Sequence, residues 1–250
     1  MNQLKTGDIL LFSNYPSGIL GYFDSLIRLG TQSQYSHIGI VLKDPEFLGL
    51  NGLYMWESGS ETKPDPQDGI KKIGVQITPL EEVLKNYKDS GHIFYRKLKC
   101  PKDLITTEKL KKIHHEVYLK PYDINPVHWL SAIFTPEINM NQTNSFWCSA
   151  LATYIYIELG ILTPDENWTL KRPSDFSLSA EHLKFSKDCE LENIAQDPDQ
   201  LSGVDSINPI WFDKNLSDFI AAHNIIASGY RQIADGYLEI ENKEKVSLNF

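Results

Sequence analysis

The feature that most limits what this chain can fold into is a change of pattern near residue 100. Before it, short apolar runs of strand length are separated by turn signals. After it, apolar residues recur at helical spacing. Asp8–Phe12, Tyr35–Leu42, Leu53–Glu57, Gly74–Thr78 and Ile93–Leu98 read as strands. Asp44-Pro45, Asn51-Gly52 and a loop-like stretch over 58–70 divide them. Two helices interrupt this half. One spans 18–29, with Ile19, Tyr22, Phe23, Leu26 and Ile27 at helical spacing; the other spans 79–87 and is opened by Pro79. Beyond residue 100, 106–119 reads as a helix capped by Thr106 or Thr107, with Leu110, Ile113 and Val117 on one face and Pro121 as its stop. The apolar stretch 145–159 is a further helix, ended by Gly160. Strands followed by helices predict an α+β fold, an antiparallel sheet packed against helices, and not a doubly wound sheet.

A length of 250 residues suits one large domain, or one domain with an extension. After residue 185 the composition shifts. Residues 186–250 hold twelve Asp/Glu against five Lys/Arg, several turn pairs and one helical stretch at 216–226. The expected organisation is a catalytic domain over 1–185 and an acidic C-terminal extension over 186–250 packed on it.

Composition excludes some classes of function. A formal net charge of −9 is the wrong sign for a general nucleic-acid binder, which needs excess Lys and Arg to displace phosphate counterions. The stretch 96–115 runs the other way, with seven Lys/Arg against Asp103 and Glu108. It could touch a membrane surface or an acidic partner; a solvated strand end and helix face accounts for the same residues. No apolar stretch approaches the roughly 18–20 residues of a membrane span, and the first residues lack the pattern of a signal peptide. Cys100, Cys148 and Cys189 form neither a disulfide framework nor a CxxC pair. The expected setting is intracellular and reducing, the cytoplasm; a virion or injected protein would share this composition. Without a secretion signal the sequons at Asn141, Asn167 and Asn215 read as chance matches.

Cys148 stands in Asn144-Ser145-Phe146-Trp147-Cys148-Ser149, near the start of the last helix. Asn144 or Ser145 could cap that helix. The thiol would then sit in the first turn, where unpaired N–H groups and the macrodipole favour negative charge. Such a place can lower a cysteine pKa and can also hold an oxyanion. Buried structural cysteines occupy similar positions.

His37 lies in Tyr35-Ser36-His37-Ile38-Gly39-Ile40-Val41. Alternation puts His37, Gly39 and Val41 on one face of the strand. A histidine facing inward from an apolar strand needs partners, whether in a core or in a site. Gly39 leaves room beside it for a close approach. Glu57 ends the next strand. If the two strands pair as an antiparallel hairpin, its carboxylate can reach the imidazole and fix its tautomer. Glu61 is the alternative partner, and a solvent-facing strand end is the plain reading of Glu57. His114-His115-Glu116 lacks the second histidine of H-E-x-x-H, because Leu119 stands there. No P-loop, G-x-G-x-x-G or G-x-S-x-G is present. No metal or organic cofactor is expected.

Gly7-Asp8-Ile9-Leu10, Tyr35-Ser36-His37-Ile38-Gly39, Glu57, Tyr122-Asp123 and Phe146-Trp147-Cys148-Ser149 together resemble the circularly permuted NlpC-type papain-like proteins, the YiiX-like group. Arg172-Pro173-Ser174-Asp175-Phe176 resembles the proline-containing segment that follows the cysteine helix there. The histidine precedes the cysteine, the reverse of papain. The resemblance spans 5–176, and its order and combination of motifs carry it. It implies a papain-like fold with Cys148 as nucleophile, His37 as base and Glu57 as the orienting third residue. The expected activity is a cysteine hydrolase acting on a peptide, amide or acyl-ester substrate. Alternatives are an acyltransferase or thioesterase on lipid or lipid-modified protein, and a papain-like scaffold that binds without catalysis.

Overall fold

A computed structural model describes residues 4–14, 35–60, 64–87, 91–122, 145–177 and 182–192. The predicted strand runs form β1 (Ile9–Asn14), β2 (His37–Lys43), β3 (Leu53–Ser60), β4 (Ile73–Pro79) and β5 (Gly91–Lys99). A sixth strand, β6 (Glu190–Glu192), joins them. All pairings are antiparallel, in the order β4-β3-β2-β1-β5-β6. Among the described residues three α-helices accompany the sheet: α1 (Leu80–Tyr87), α2 (Thr107–Val117) and α3 (Cys148–Leu159). The architecture is α+β.

Both faces of the sheet are covered, which is why β1 begins Ile-Leu-Leu-Phe without polar interruption. Ile9, Leu11, Ile38, Ile40, Trp56 and Ile77 share one core with Leu110, Ile113 and Val117 of α2 and Ile155, Tyr156 and Leu159 of α3. Leu10, Phe12, Val41, Met55 and Ile93 point the other way and pack with Leu80 and Val83 of α1. Each large apolar side chain buried this way is worth about 1.5–3 kcal/mol against exposure. α3 is apolar on almost every side, as suits a helix enclosed in protein.

The helix ends have local causes. Thr106 caps α2, its hydroxyl accepting from the Lys109 N–H at 3.3 Å. α2 ends before the predicted stop at Pro121, because Tyr118 turns extended and Leu119 is left-handed at φ 60°. Gly160 closes α3 at φ 82°. The expected cap of α3 by Asn144 or Ser145 is corrected: Trp147 is the N-cap and makes no side-chain cap bond. The Phe146 N–H donates to Pro121 O at 3.1 Å and its carbonyl accepts from Ser58 Oγ at 2.5 Å. With both groups committed elsewhere, the helix begins at Cys148.

The other sheet edge, β4, is covered by 120–122. Val75 N–H donates to Lys120 O at 2.9 Å and Tyr122 N–H to Ile73 O at 3.2 Å. Gly74 is required there: its φ is 141° and a Cβ would stand 2.3 Å from Lys120 O. The loop before β4 is latched by buried Asp65. Its Oδ2 accepts from Lys72 Nζ at 2.9 Å and from Ile77 N–H at 3.0 Å.

β6, which pairs with β5, lies past the expected boundary at 185. The helices predicted over 18–29 and 216–226, together with Glu61, Asp123, Asn144 and most of the acidic extension, lie outside the described residues.

Candidate active site

β2 opens at His37, on the face that carries Val41. β3 pairs with it in the register Ile40↔Trp56 and Val41↔Met55. Continued along the strands, that register sets Gly39 opposite Glu57 and Gly59 opposite His37. His37 and Glu57 are thus diagonal neighbours on one face, and each stands opposite a glycine. Long side chains reach across such a diagonal. Glu57 Oε2 meets His37 Nε2 at 2.5 Å. The space at Gly39 is taken from across the strand pair: a Cβ there would stand 2.4 Å from Met55 Cγ.

The second carboxylate oxygen is held as well. β3 pairs with β4 as Met55↔Thr78 and Glu57↔Gln76, which puts Thr78 on the opposite diagonal. The Thr78 hydroxyl donates to Glu57 Oε1 at 2.7 Å. Glu57 is only 1% exposed, so a carboxylate there depends on these two partners. The sequence reading missed Thr78. Its place two residues beyond the partner of Glu57 in a paired strand was the available signal, and it needed the register.

Cys148 comes to His37 through several anchors on either side of it. Ser58, next to Glu57, binds the Phe146 carbonyl. Trp147 Nε1 and Ser149 Oγ both donate to the Lys171 carbonyl, at 3.4 Å and 2.7 Å. Lys171 leads directly into the Pro173–Phe176 turn, in which Asp175 accepts from the Arg172 N–H at 2.8 Å. The motif Arg172–Phe176 thus seats the start of α3. Cys148 is the first residue of that helix and is buried.

The imidazole of His37 lies between the thiol and the carboxylate. Burial pushes its pKa down. Hydrogen bonds with the Cys148 thiol and the Glu57 carboxylate, with attraction to the charge on both, outweigh burial and hold it well above the ordinary histidine value. Nε2 is engaged by Glu57. The Phe12 ring, 5.4 Å away between centroids, flanks the imidazole. Cys148, His37 and Glu57 are brought together, from a helix and two strands.

The other motifs serve the fold. Asp8 is fully buried and accepts from Lys5 N–H, Tyr95 hydroxyl and Leu98 N–H, at 2.8, 2.8 and 3.0 Å. Burial nevertheless raises its carboxyl pKa. His114 Nε2 meets Gln67 Oε1 at 2.7 Å, and its ring stacks near Phe47, Trp56 and Tyr118. Among the described residues no group of three or more His, Cys, Asp or Glu could hold a metal ion.

Part of the basic stretch is tied to the protein, while Lys99, Lys102, Lys111 and Lys112 are exposed. Arg96 donates to the carbonyls of Phe176 and Leu191, at 3.1 and 2.6 Å. Lys97 and Lys99 pair with Glu192 and Glu190 of β6, each at 2.6 Å. Among the described residues no helix is long and apolar enough to cross a membrane. The sequence matches no model of a known protein family and no curated protein.

Proposed function

We propose that the protein is a cysteine hydrolase that cleaves an amide or ester bond through Cys148, His37 and Glu57. The observation that carries this reading is the imidazole of His37 bonded to the buried Glu57 carboxylate and lying close enough to the Cys148 thiol, at a helix start, for that thiol to raise its pKa. Each residue has the place its role requires. His37 takes the thiol proton, and the Cys148 sulfur attacks the carbonyl carbon. The oxyanion that forms meets the Cys148 N–H, which has no partner within the helix because it belongs to the first turn. Collapse of the tetrahedral species expels the amine or alcohol, which leaves with the proton held by His37. Water, deprotonated by the same imidazole, then releases the acyl group from sulfur. Glu57, oriented by Thr78, keeps the ring aimed and stabilises its charged form.

The arrangement supports placing the chain with the permuted NlpC-type papain-like proteins. A histidine on an early strand of an antiparallel sheet meets a cysteine that opens a later helix. A non-catalytic scaffold would not require His37 and Cys148 to stand close enough to interact. Transfer to an acceptor other than water would use the same three residues. The lipid-directed form of that reading drew on the stretch 96–115, several of whose cations bind β6 and backbone carbonyls instead.

The test is competitive alkylation by iodoacetamide near neutral pH, with each cysteine quantified by mass spectrometry. Cys148 is expected to react at least tenfold faster than Cys100 or Cys189, and Cys148→Ala to abolish hydrolysis of activated ester substrates. Equal labelling of the three cysteines, or hydrolysis that survives Cys148→Ala, overturns the proposal.

A further inference from the structure

Two cysteines outside the candidate active site stand opposite one another. β5 and β6 pair in the register Lys97↔Glu192, Leu98↔Leu191 and Lys99↔Glu190. One more step sets Cys100 against Cys189. Directly opposed residues of an antiparallel pair have Cα atoms about 4.5 or 5.5 Å apart. Both spacings fall inside the window of roughly 4.4–6.8 Å that a disulfide spans. Both thiols are free in this structure; Cys100 is partly exposed and Cys189 buried. Two ion pairs and hydrogen bonds of Arg96 also tie β6, a strand of three residues, to β5.

We propose that Cys100 and Cys189 are a thiol–disulfide exchange site, which a small disulfide such as glutathione disulfide converts to a cross-strand bridge. The proposal is independent of the reaction assigned to Cys148. Cys100, the accessible partner, attacks one sulfur of glutathione disulfide and expels one glutathione thiolate. Cys189 then attacks the Cys100 sulfur of the mixed disulfide and expels the second. Two protein thiols are oxidised, one disulfide is reduced to two thiols, and the two cysteine protons end on the released glutathione. The bridge clamps β6 to β5.

The surroundings set the rate. Burial, the neighbouring Cys189 and the carboxylates of Asp103 and Asp8 push the Cys100 thiol up to about 11. Burial and Asp188 push Cys189 up. Tyr156 of α3 faces both thiols, its own pKa raised chiefly by burial and then by Asp8. The pair Lys99–Glu190 is the adjacent rung of the ladder. Thiolate, the attacking species, is therefore scarce at neutral pH, and exchange is slow there.

The experiment uses the full chain and its Cys148→Ala variant in glutathione disulfide at several pH values. Digestion without reduction and mass spectrometry follow. A peptide joining Cys100 to Cys189 is expected in both proteins. Its rate of appearance should rise about tenfold per pH unit between pH 7 and 10. Cys189→Ser should stop at glutathione attached to Cys100. Persistent mixed disulfide without the joined peptide, a bridge that includes Cys148, or a rate independent of pH overturns the proposal.

Discussion

Replacing Glu57 by Gln probes the candidate site with almost no change of shape. The carboxylate accepts from Thr78 Oγ1 at 2.7 Å and meets His37 Nε2 at 2.5 Å. An amide has one oxygen, so it cannot accept from both the Thr78 hydroxyl and His37 as the carboxylate does. With the oxygen turned to Thr78, the NH2 group faces His37 Nε2, donor against donor unless the imidazole moves its proton to Nδ1. A proton on Nδ1 removes the acceptor that the Cys148 thiol needs. The lost hydrogen bond to a charged group is worth about 1.5–3 kcal/mol, or roughly 10- to 150-fold. The wrong tautomer adds to this, and in catalytic triads the same exchange costs as much as about 10⁴-fold. We expect Glu57→Gln to lower hydrolysis by about 10² to 10⁴ in kcat/KM. The assay that needs no known substrate is the alkylation rate of Cys148 between pH 5 and 9. The variant should react at least tenfold more slowly than the parent protein near pH 6. A melting curve confirms that both are folded. If the two profiles superimpose, Glu57 does not act through His37 and the reasoning is refuted.

Thr78→Val keeps the volume but removes the hydroxyl from Glu57; it should lower Cys148 alkylation at pH 6 by several-fold, less than Glu57→Gln, and an unchanged rate would remove Thr78 from the site. Gly39→Ala drives a methyl to within 2.4 Å of Met55 Cγ and should cost about 1–3 kcal/mol in urea unfolding. Combined with Met55→Ala, the two losses should fall short of their sum by at least about 1 kcal/mol; additivity would contradict the contact. Lys72→Met leaves buried Asp65 and half-buried Asp68 without their cation and should destabilise by about 3–5 kcal/mol. Burial raises the Asp68 carboxyl, but hydrogen bonds from Lys72, the Ile70 N–H and Tyr118 outweigh it and hold it below its ordinary value. Its stabilisation is therefore present above pH about 4 and lost as the pH falls through the lowered pKa. The variant's acid unfolding curve should be flatter in that window. His37 acts in the opposite sense. Its raised pKa gives stabilisation that is complete below pH about 6.5 and lost as the pH rises through the elevated value. Calorimetric scans from pH 6 to 10 should show this loss in the parent protein and a smaller one in Glu57→Gln, where the Cys148 contribution remains.

Most elements were legible because their signals are local. A run such as Ile-Leu-Leu-Phe has strand length, Thr106 offers a hydroxyl where α2 begins, and Gly160 takes the left-handed turn that ends α3. The features missed depend on distant partners. The start of α3 was placed too early because the chain before Cys148 carries capping residues, while bonds to Ser58 and Pro121 hold it extended. β6 is three residues long and charged at both ends, so no periodicity announces it. Its glutamates make sense only beside Lys97 and Lys99, more than ninety positions earlier.

Within the candidate site the same division holds. Alternation along β2 put His37 beside Gly39 and Val41, and a hairpin sufficed to bring Glu57 near, because both follow from the period of a strand. The role of Thr78 follows from the register between two strands, which sequence spacing leaves open. Cys148 and His37, whose interaction raises the imidazole pKa, stand 111 positions apart. Local sequence set which groups the chain offers and the elements that present them. Only tertiary packing decided that a thiol, an imidazole and a carboxylate meet, because contacts between distant segments depend on how whole elements bury their apolar faces.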